Sequence, residues 1–166
     1  SSTASTTEGV TTSGINVTGK ATITNTAGGS IAGADSGITM NYGTVTNTGT
    51  IGEVKDSAGA TTVASKYGIV IHNLYGDQTA SIENAYDPDP HPPGPGPKDA
   101  GETATGSAGT ITVTRYGIYV KGGNVNVTNA KNATISGGES GVYHEGTGSI
   151  TNAGTITGQK TGVTFT

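Results

Sequence analysis

The sequence predicts an all-β fold, a right-handed single-stranded parallel β-helix of about five to six coils, with three short strands per coil and loop insertions in coils two and three. Three recurring marks carry that prediction: a glycine followed by Ile or Val, an aliphatic-x-Asn triplet, and a small residue followed by isoleucine, always in that order.

The first mark opens each coil, at Gly14-Ile15, Gly37-Ile38, Gly68-Ile69, Gly117-Ile118, Gly141-Val142 and Gly162-Val163. The second follows at Ile23-Thr24-Asn25, Val45-Thr46-Asn47, Ile82-Glu83-Asn84, Val127-Thr128-Asn129 and Ile150-Thr151-Asn152. The third stands at Ser30-Ile31, Thr50-Ile51, Thr110-Ile111, Thr134-Ile135 and Thr155-Ile156. Every aliphatic at these marks is Ile or Val, the residues that suit a pleated, half-buried strand. Alternation such as Thr22-Ile23-Thr24 turns the aliphatic inward and the hydroxyls outward. Parallel strands one coil apart are separated by about 4.8 Å, so five coils build a prism roughly 24 Å tall. Asn25, Asn47, Asn84, Asn129 and Asn152 are expected to turn one corner, each amide bonding the Asn above and below in a structural ladder.

Proline gives an independent check, because a strand with neighbours on both sides needs every N–H. All six prolines lie between Pro88 and Pro97, and the rest of the chain has none.

Composition agrees with repetition as the source of stability. The 166 residues include 29 glycines and no cysteine, with 31% hydrophobic residues, too few for an ordinary globular core. Disorder would bring a high net charge, and the formal charge is only −4. Eight scattered Lys and Arg make no basic stripe, which argues against nucleic acid as a partner. No run of about 18 apolar residues is present, so the segment is not expected to insert into a membrane. One domain is expected over 1–166, with insertions at 53–66 and 85–109. The ending within a strand pattern at Gly162 to Thr166 is read as a fragment of a longer solenoid.

Runs such as Val45-Thr46-Asn47-Thr48-Gly49-Thr50-Ile51 and Ile150-Thr151-Asn152-Ala153-Gly154-Thr155-Ile156 resemble the passenger repeats of bacterial autotransporters and related β-helical surface adhesins. The resemblance implies an extracellular location on the bacterial cell surface. It also implies a non-enzymatic role in attachment to a host or matrix protein or glycan, or in cell-to-cell self-association. No cofactor and no metal is implied.

Ligand-binding positions are expected where the repeat breaks and on outward side chains. Tyr67 and Tyr116 both precede a coil-start glycine and should lie one ladder step apart. Tyr119 and Tyr143 should do the same in the next row, which Val70 extends. Such a cluster offers flat area and hydroxyls to a sugar or protein at low entropic cost; it would equally serve as cross-strand packing. The insertion after Ala85 carries Asp87-Pro88-Asp89-Pro90-His91 and is expected to run as extended polyproline II. Asp87, Asp89 and His91 are therefore further candidate ligand-binding residues. Deleting 87–97 would separate binding by this loop from binding by the coil faces.

Enzyme chemistry is not expected. Gly14 to Lys20 approaches a phosphate-binding loop, but Ala21 replaces the Ser/Thr that would hold magnesium and a strand pattern follows where a helix is needed. The aspartates flanking Pro88 are held apart and lack a second ligand cluster. The acids are dispersed, which weighs against the alternative of a carbohydrate-active β-helix enzyme or a polysaccharide-binding tailspike-like module. Thr-x-Thr pairs suggest an ice-binding solenoid, a weaker reading because Ala32, Glu83 and Asn126 interrupt the rows. His144 falls where alternation would turn it inward, and an early end to its strand is expected to keep it out of the core.

Overall fold

The computed structural model describes residues 13–72, 78–87 and 106–166. These are all-β, with the strands of the two main sheets parallel and no helix. The chain alternates between two sheets. It runs through β1 (Ser13–Asn25), crosses to β2 (Ser30–Ile31), returns as β3 (Ser36–Asn47) and crosses again as β4 (Thr50–Ile51). A two-stranded excursion follows, β5 (Glu53–Lys55) and β6 (Thr61–Ala64), before β7 (Tyr67–His72) and β8 (Thr79–Asn84) return to the first sheet. After the short strands β9 (Tyr86–Asp87) and β10 (Ser107–Ala108), the alternation resumes. It continues through β11 (Thr110–Val113), β12 (Tyr116–Asn129), β13 (Thr134–Gly137), β14 (Ser140–Asn152), β15 (Thr155–Gly158) and β16 (Thr161–Phe165). The larger sheet has the order β1-β3-β7-β12-β14-β16, and the smaller has β2-β4-β11-β13-β15. Strands β7 and β8 lie end to end between β3 and β12, pairing with successive stretches of both.

Register matches like with like. Ile15, Ile38, Ile69, Ile118, Val142 and Val163 are successive partners across the larger sheet. Ile31, Ile51, Ile111, Ile135 and Ile156 are successive partners across the smaller. Aliphatics of both sheets share one buried cluster, in which Ile38, Ile51, Ile69, Ile111, Ile118 and Ile135 are fully enclosed. A one-residue slip would turn each of these rows to solvent, so the repeated pattern selects a single register.

The opening glycine has a steric cause. A Cβ at Gly37 would lie 2.8 Å from the carbonyl oxygen of Gly68, one at Gly117 would lie 2.5 Å from that of Gly141, and one at Gly141 would lie 2.8 Å from that of Gly162. Each position also faces an isoleucine methyl of the smaller sheet, 2.7 Å away at Gly37 and 2.6 Å at Gly117. The two sheets approach too closely there for any side chain.

The five asparagines form a continuous chain of amide hydrogen bonds. Asn25 Nδ2 donates to Asn47 Oδ1 (2.8 Å), Asn47 to Asn84 (2.8 Å), Asn84 to Asn129 (2.9 Å) and Asn129 to Asn152 (2.8 Å). Asn47, Asn84 and Asn129 are completely buried. Their remaining donor capacity meets turn carbonyls such as Gly109 O and Thr134 O, which gives those corner carbonyls a side-chain donor.

Two expectations need correction. The first two strands expected in each coil are continuous in β1, β3, β12 and β14, where the backbone stays extended around the corner. A register shift marks the bend, between Val17 and Lys20 in β1 and between Lys121 and Asn124 in β12. Positive φ at Gly43, Gly122, Gly123, Gly146 and Gly148 absorbs the turn without ending the ladder.

The second correction concerns His144. Its strand does not end early: β14 runs on to Asn152, and the His144 ring is fully buried between its partners Val120 and Phe165. The ring stacks on Phe165 with centroids 4.3 Å apart, and neither ring nitrogen has a hydrogen-bond partner. Burial holds its pKa below the ordinary 6.5, which favours the neutral ring. The unfolded chain therefore binds the proton more readily, and stability present above the unfolded pKa is lost as pH falls through and below it. His144→Leu is expected to raise the unfolding free energy by about 1 kcal/mol at neutral pH by removing the orphaned nitrogens. It should also abolish this histidine's part of the decline as pH falls below about 6.5, both read from urea midpoints.

Candidate functional site

On β7, β12 and β14 the inward positions are Ile69 and Ile71, Ile118 and Val120, Val142 and His144. The residues between them, Val70, Tyr119 and Tyr143, form one row of the outer face, with Tyr119 paired to Val70 on one side and Tyr143 on the other. Tyr67 and Tyr116 are also ladder partners. In an unbroken pleat Tyr67 would share the inward face of Ile69, two residues on. Instead, both tyrosines join the outer cluster and pack against Tyr119.

The four rings pack as one platform. Tyr67 and Tyr116 stack with centroids 5.7 Å apart, and Tyr119 and Tyr143 stack at 5.4 Å with planes 12° apart. Tyr116 bridges the pairs, 5.5 Å from both Tyr119 and Tyr143. All four are half-buried, leaving part of each ring open to solvent. Tyr143 OH donates to Glu145 (2.9 Å), and that acceptor raises the phenol's pKa. Burial, followed by the Glu145 charge, raises that of Tyr119. Both therefore stay neutral at physiological pH.

Arg115 edges the platform. Its guanidinium carbon lies 5.2 Å from the Tyr116 ring centre and 5.6 Å from that of Tyr67, while Nη1 donates to Tyr67 OH (2.9 Å). Nε donates to Glu139 (2.7 Å), whose second oxygen accepts from Tyr116 OH (3.1 Å) and Lys160 Nζ (3.1 Å). The hydrogen bond from Arg115, then that from Lys160, holds the Glu139 pKa at about 2 against an ordinary 4.5. A depressed carboxylate contributes stability above its unfolded pKa that is lost as pH falls toward the folded value. The network thus stays intact down to mildly acidic pH.

These ion pairs carry a signal that the reading of the sequence missed. At the second to sixth Gly-Ile/Val marks, from Gly37 to Gly162, the residue two before the glycine is Asp35, Lys66, Arg115, Glu139 and Lys160 in turn. Backbone bonds join that corner in the same order, from Tyr67 N to Asp35 O (2.8 Å), Arg115 N to Lys66 O (2.9 Å), Glu139 N to Arg115 O (2.8 Å) and Lys160 N to Glu139 O (2.9 Å). Lys66 pairs with Asp35 at 3.3 Å, as Glu139 does with Arg115 and Lys160. Aligning the repeat on its glycines exposes the charge ladder directly.

The other candidates lie elsewhere. Asp87 sits in β9, paired antiparallel with Ser107 at the base of the 85–109 insertion. Asp89 and His91 fall outside the described residues, as do Pro88 to Pro97. The 53–66 insertion is an antiparallel hairpin with Val54 opposite Val63, its turn held by Asp56 Oδ1 accepting from the N–H groups of Ala58 and Ala60 (2.9 Å each). Among the described residues no three His, Asp or Glu gather closely enough to hold a metal ion. The chain matches no protein-family model, no curated protein and no solved structure.

Proposed function

We propose that this chain is a β-helical stack of coils from a bacterial surface adhesin, extracellular and non-enzymatic, which attaches to a host or matrix ligand through its tyrosine face. The stacked-coil reading draws support from the alternation between two parallel sheets in constant register and from the amide chain along one corner.

The single observation that carries the attachment reading is the platform of four partly exposed tyrosines edged by Arg115. Tyr and Arg are the residues that most often dominate binding energy at interfaces, because they offer rigid area and directed hydrogen bonds together. Here the arginine is already fixed in place by Glu139 and Tyr67, so little rotamer entropy remains to be lost on contact.

Beads coated with the chain should adhere to epithelial monolayers or immobilised matrix proteins. The double variant Tyr67→Ser/Tyr116→Ser is expected to weaken that adhesion about tenfold or more. Adhesion unchanged in the variant would overturn the reading. If wild-type beads instead bind only one another, and the variant abolishes that, the face serves self-association.

A further inference from the structure

The tyrosine row is interrupted at Val70, whose small side chain is 6% exposed and lies between Thr39 and Tyr119 in the ladder. Where the row continues, Tyr143 stacks against Tyr119; where it breaks, a depression of about 210 Å³ opens over Val70. Tyr67 and Tyr119 flank it, and Asp35, Thr39 and His72 complete its lining.

We propose that this depression binds one neutral hexopyranose ring, as a unit of a surface glycan; its biological role rests on the attachment reading, its chemistry does not. The cavity is smaller than the roughly 300–1,000 Å³ typical of drug-sized ligands, so it takes a single ring. A pyranose has an apolar face of axial C–H groups and a rim of hydroxyls. The C–H face meets Val70 and the aromatic side chains of Tyr67 and Tyr119. The hydroxyls meet Asp35, Thr39 and His72. The Asp35 carboxylate offers about four acceptor sites, more than the one Lys66 ammonium at 3.3 Å occupies, and its side chain remains 40% exposed. That acceptor favours hydroxyl donors, the groups that a neutral sugar presents in number. Thr39 is held in place by the Ser36 hydroxyl (2.8 Å), so the rim is preorganised.

Val70→Tyr tests the site, because it continues the Tyr119–Tyr143 row and fills the depression. Asp35→Asn is the second variant, sparing the backbone carbonyl that receives the Tyr67 N–H. The probes are the methyl glycosides of glucose, galactose and mannose, titrated to millimolar concentrations against labelled protein with the Val70 methyl and tyrosine ring signals as the readout. At least one glycoside is expected to shift those signals in the wild type, with Val70→Tyr abolishing the effect and Asp35→Asn weakening binding about tenfold. No shift with any of the three overturns the proposal, as does binding that survives Val70→Tyr. Bead adhesion measured in parallel separates the two claims. Adhesion without sugar shifts overturns the glycan site and leaves the attachment reading standing, and sugar shifts without adhesion do the reverse.

Discussion

Asn84→Ala is expected to lower the unfolding free energy by about 3–5 kcal/mol, through a combination of lost buried hydrogen bonds and a cavity. Asn84 is fully buried at the middle of the amide chain. It accepts from Asn47 (2.8 Å) and donates toward Asn129 Oδ1 (2.9 Å), Gly109 O (2.9 Å) and Thr134 O (3.0 Å). Alanine leaves a donor and up to three acceptors stranded away from water, and the stranded groups set the cost. Truncation at Asn152, the exposed end of the chain of amides, should cost far less, because water replaces the lost partner. Urea midpoints of the two variants measure the contrast. Equal and small losses would show that the amide chain contributes little to stability.

Gly117→Ala is expected to cost about 3 kcal/mol although the new side chain is a single methyl. Its Cβ would stand 2.5 Å from Gly141 O and 2.6 Å from an Ile135 methyl, so both the neighbouring strand and the facing sheet must move. Gly19, where a Cβ would meet nothing within 4 Å, provides the control, and Gly19→Ala should leave the midpoint nearly unchanged. A Gly117→Ala midpoint as high as the control's would mean that the opening glycine is not imposed by sheet-to-sheet approach.

How far residues reveal such a structure depends on whether position alone decides their role. Ile38, Ile51 and Ile69 were legible because an aliphatic at a fixed place in a repeat has one face to hide, and the register follows from hiding it. The asparagines were legible for the same reason, since a side chain that both donates and accepts can bond its own copy. The continuity of β12 through its corner was not legible, because a glycine pair such as Gly122-Gly123 ends a strand as readily as it bends one. The Glu53–Ala64 hairpin had a signal, the Asp56 turn between Val54 and Val63, that was obscured by treating the segment as a single insertion. At His144 the alternation itself was correct, and the error came from supposing that an ionisable ring would not be buried without a partner. On the outer face, the pairing of Tyr67 with Tyr116 followed from their shared place before the glycine. Arg115 and Glu139 were overlooked because each charge was considered alone, whereas their meaning lies in the opposite sign one repeat away. The depression over Val70 needed coordinates, since it is the absence of a fourth ring in a row.

Ile38 lies in the ladder between Ile15 and Ile69, residues 23 positions before it and 31 after it. Methyl-to-methyl nuclear Overhauser effects in a sample labelled at isoleucine measure that directly. Cross-peaks from Ile38 to both Ile15 and Ile69 are the predicted result. Finding Ile38 close to neither would contradict the stacking on which the amide chain, the glycine column and the tyrosine face all depend.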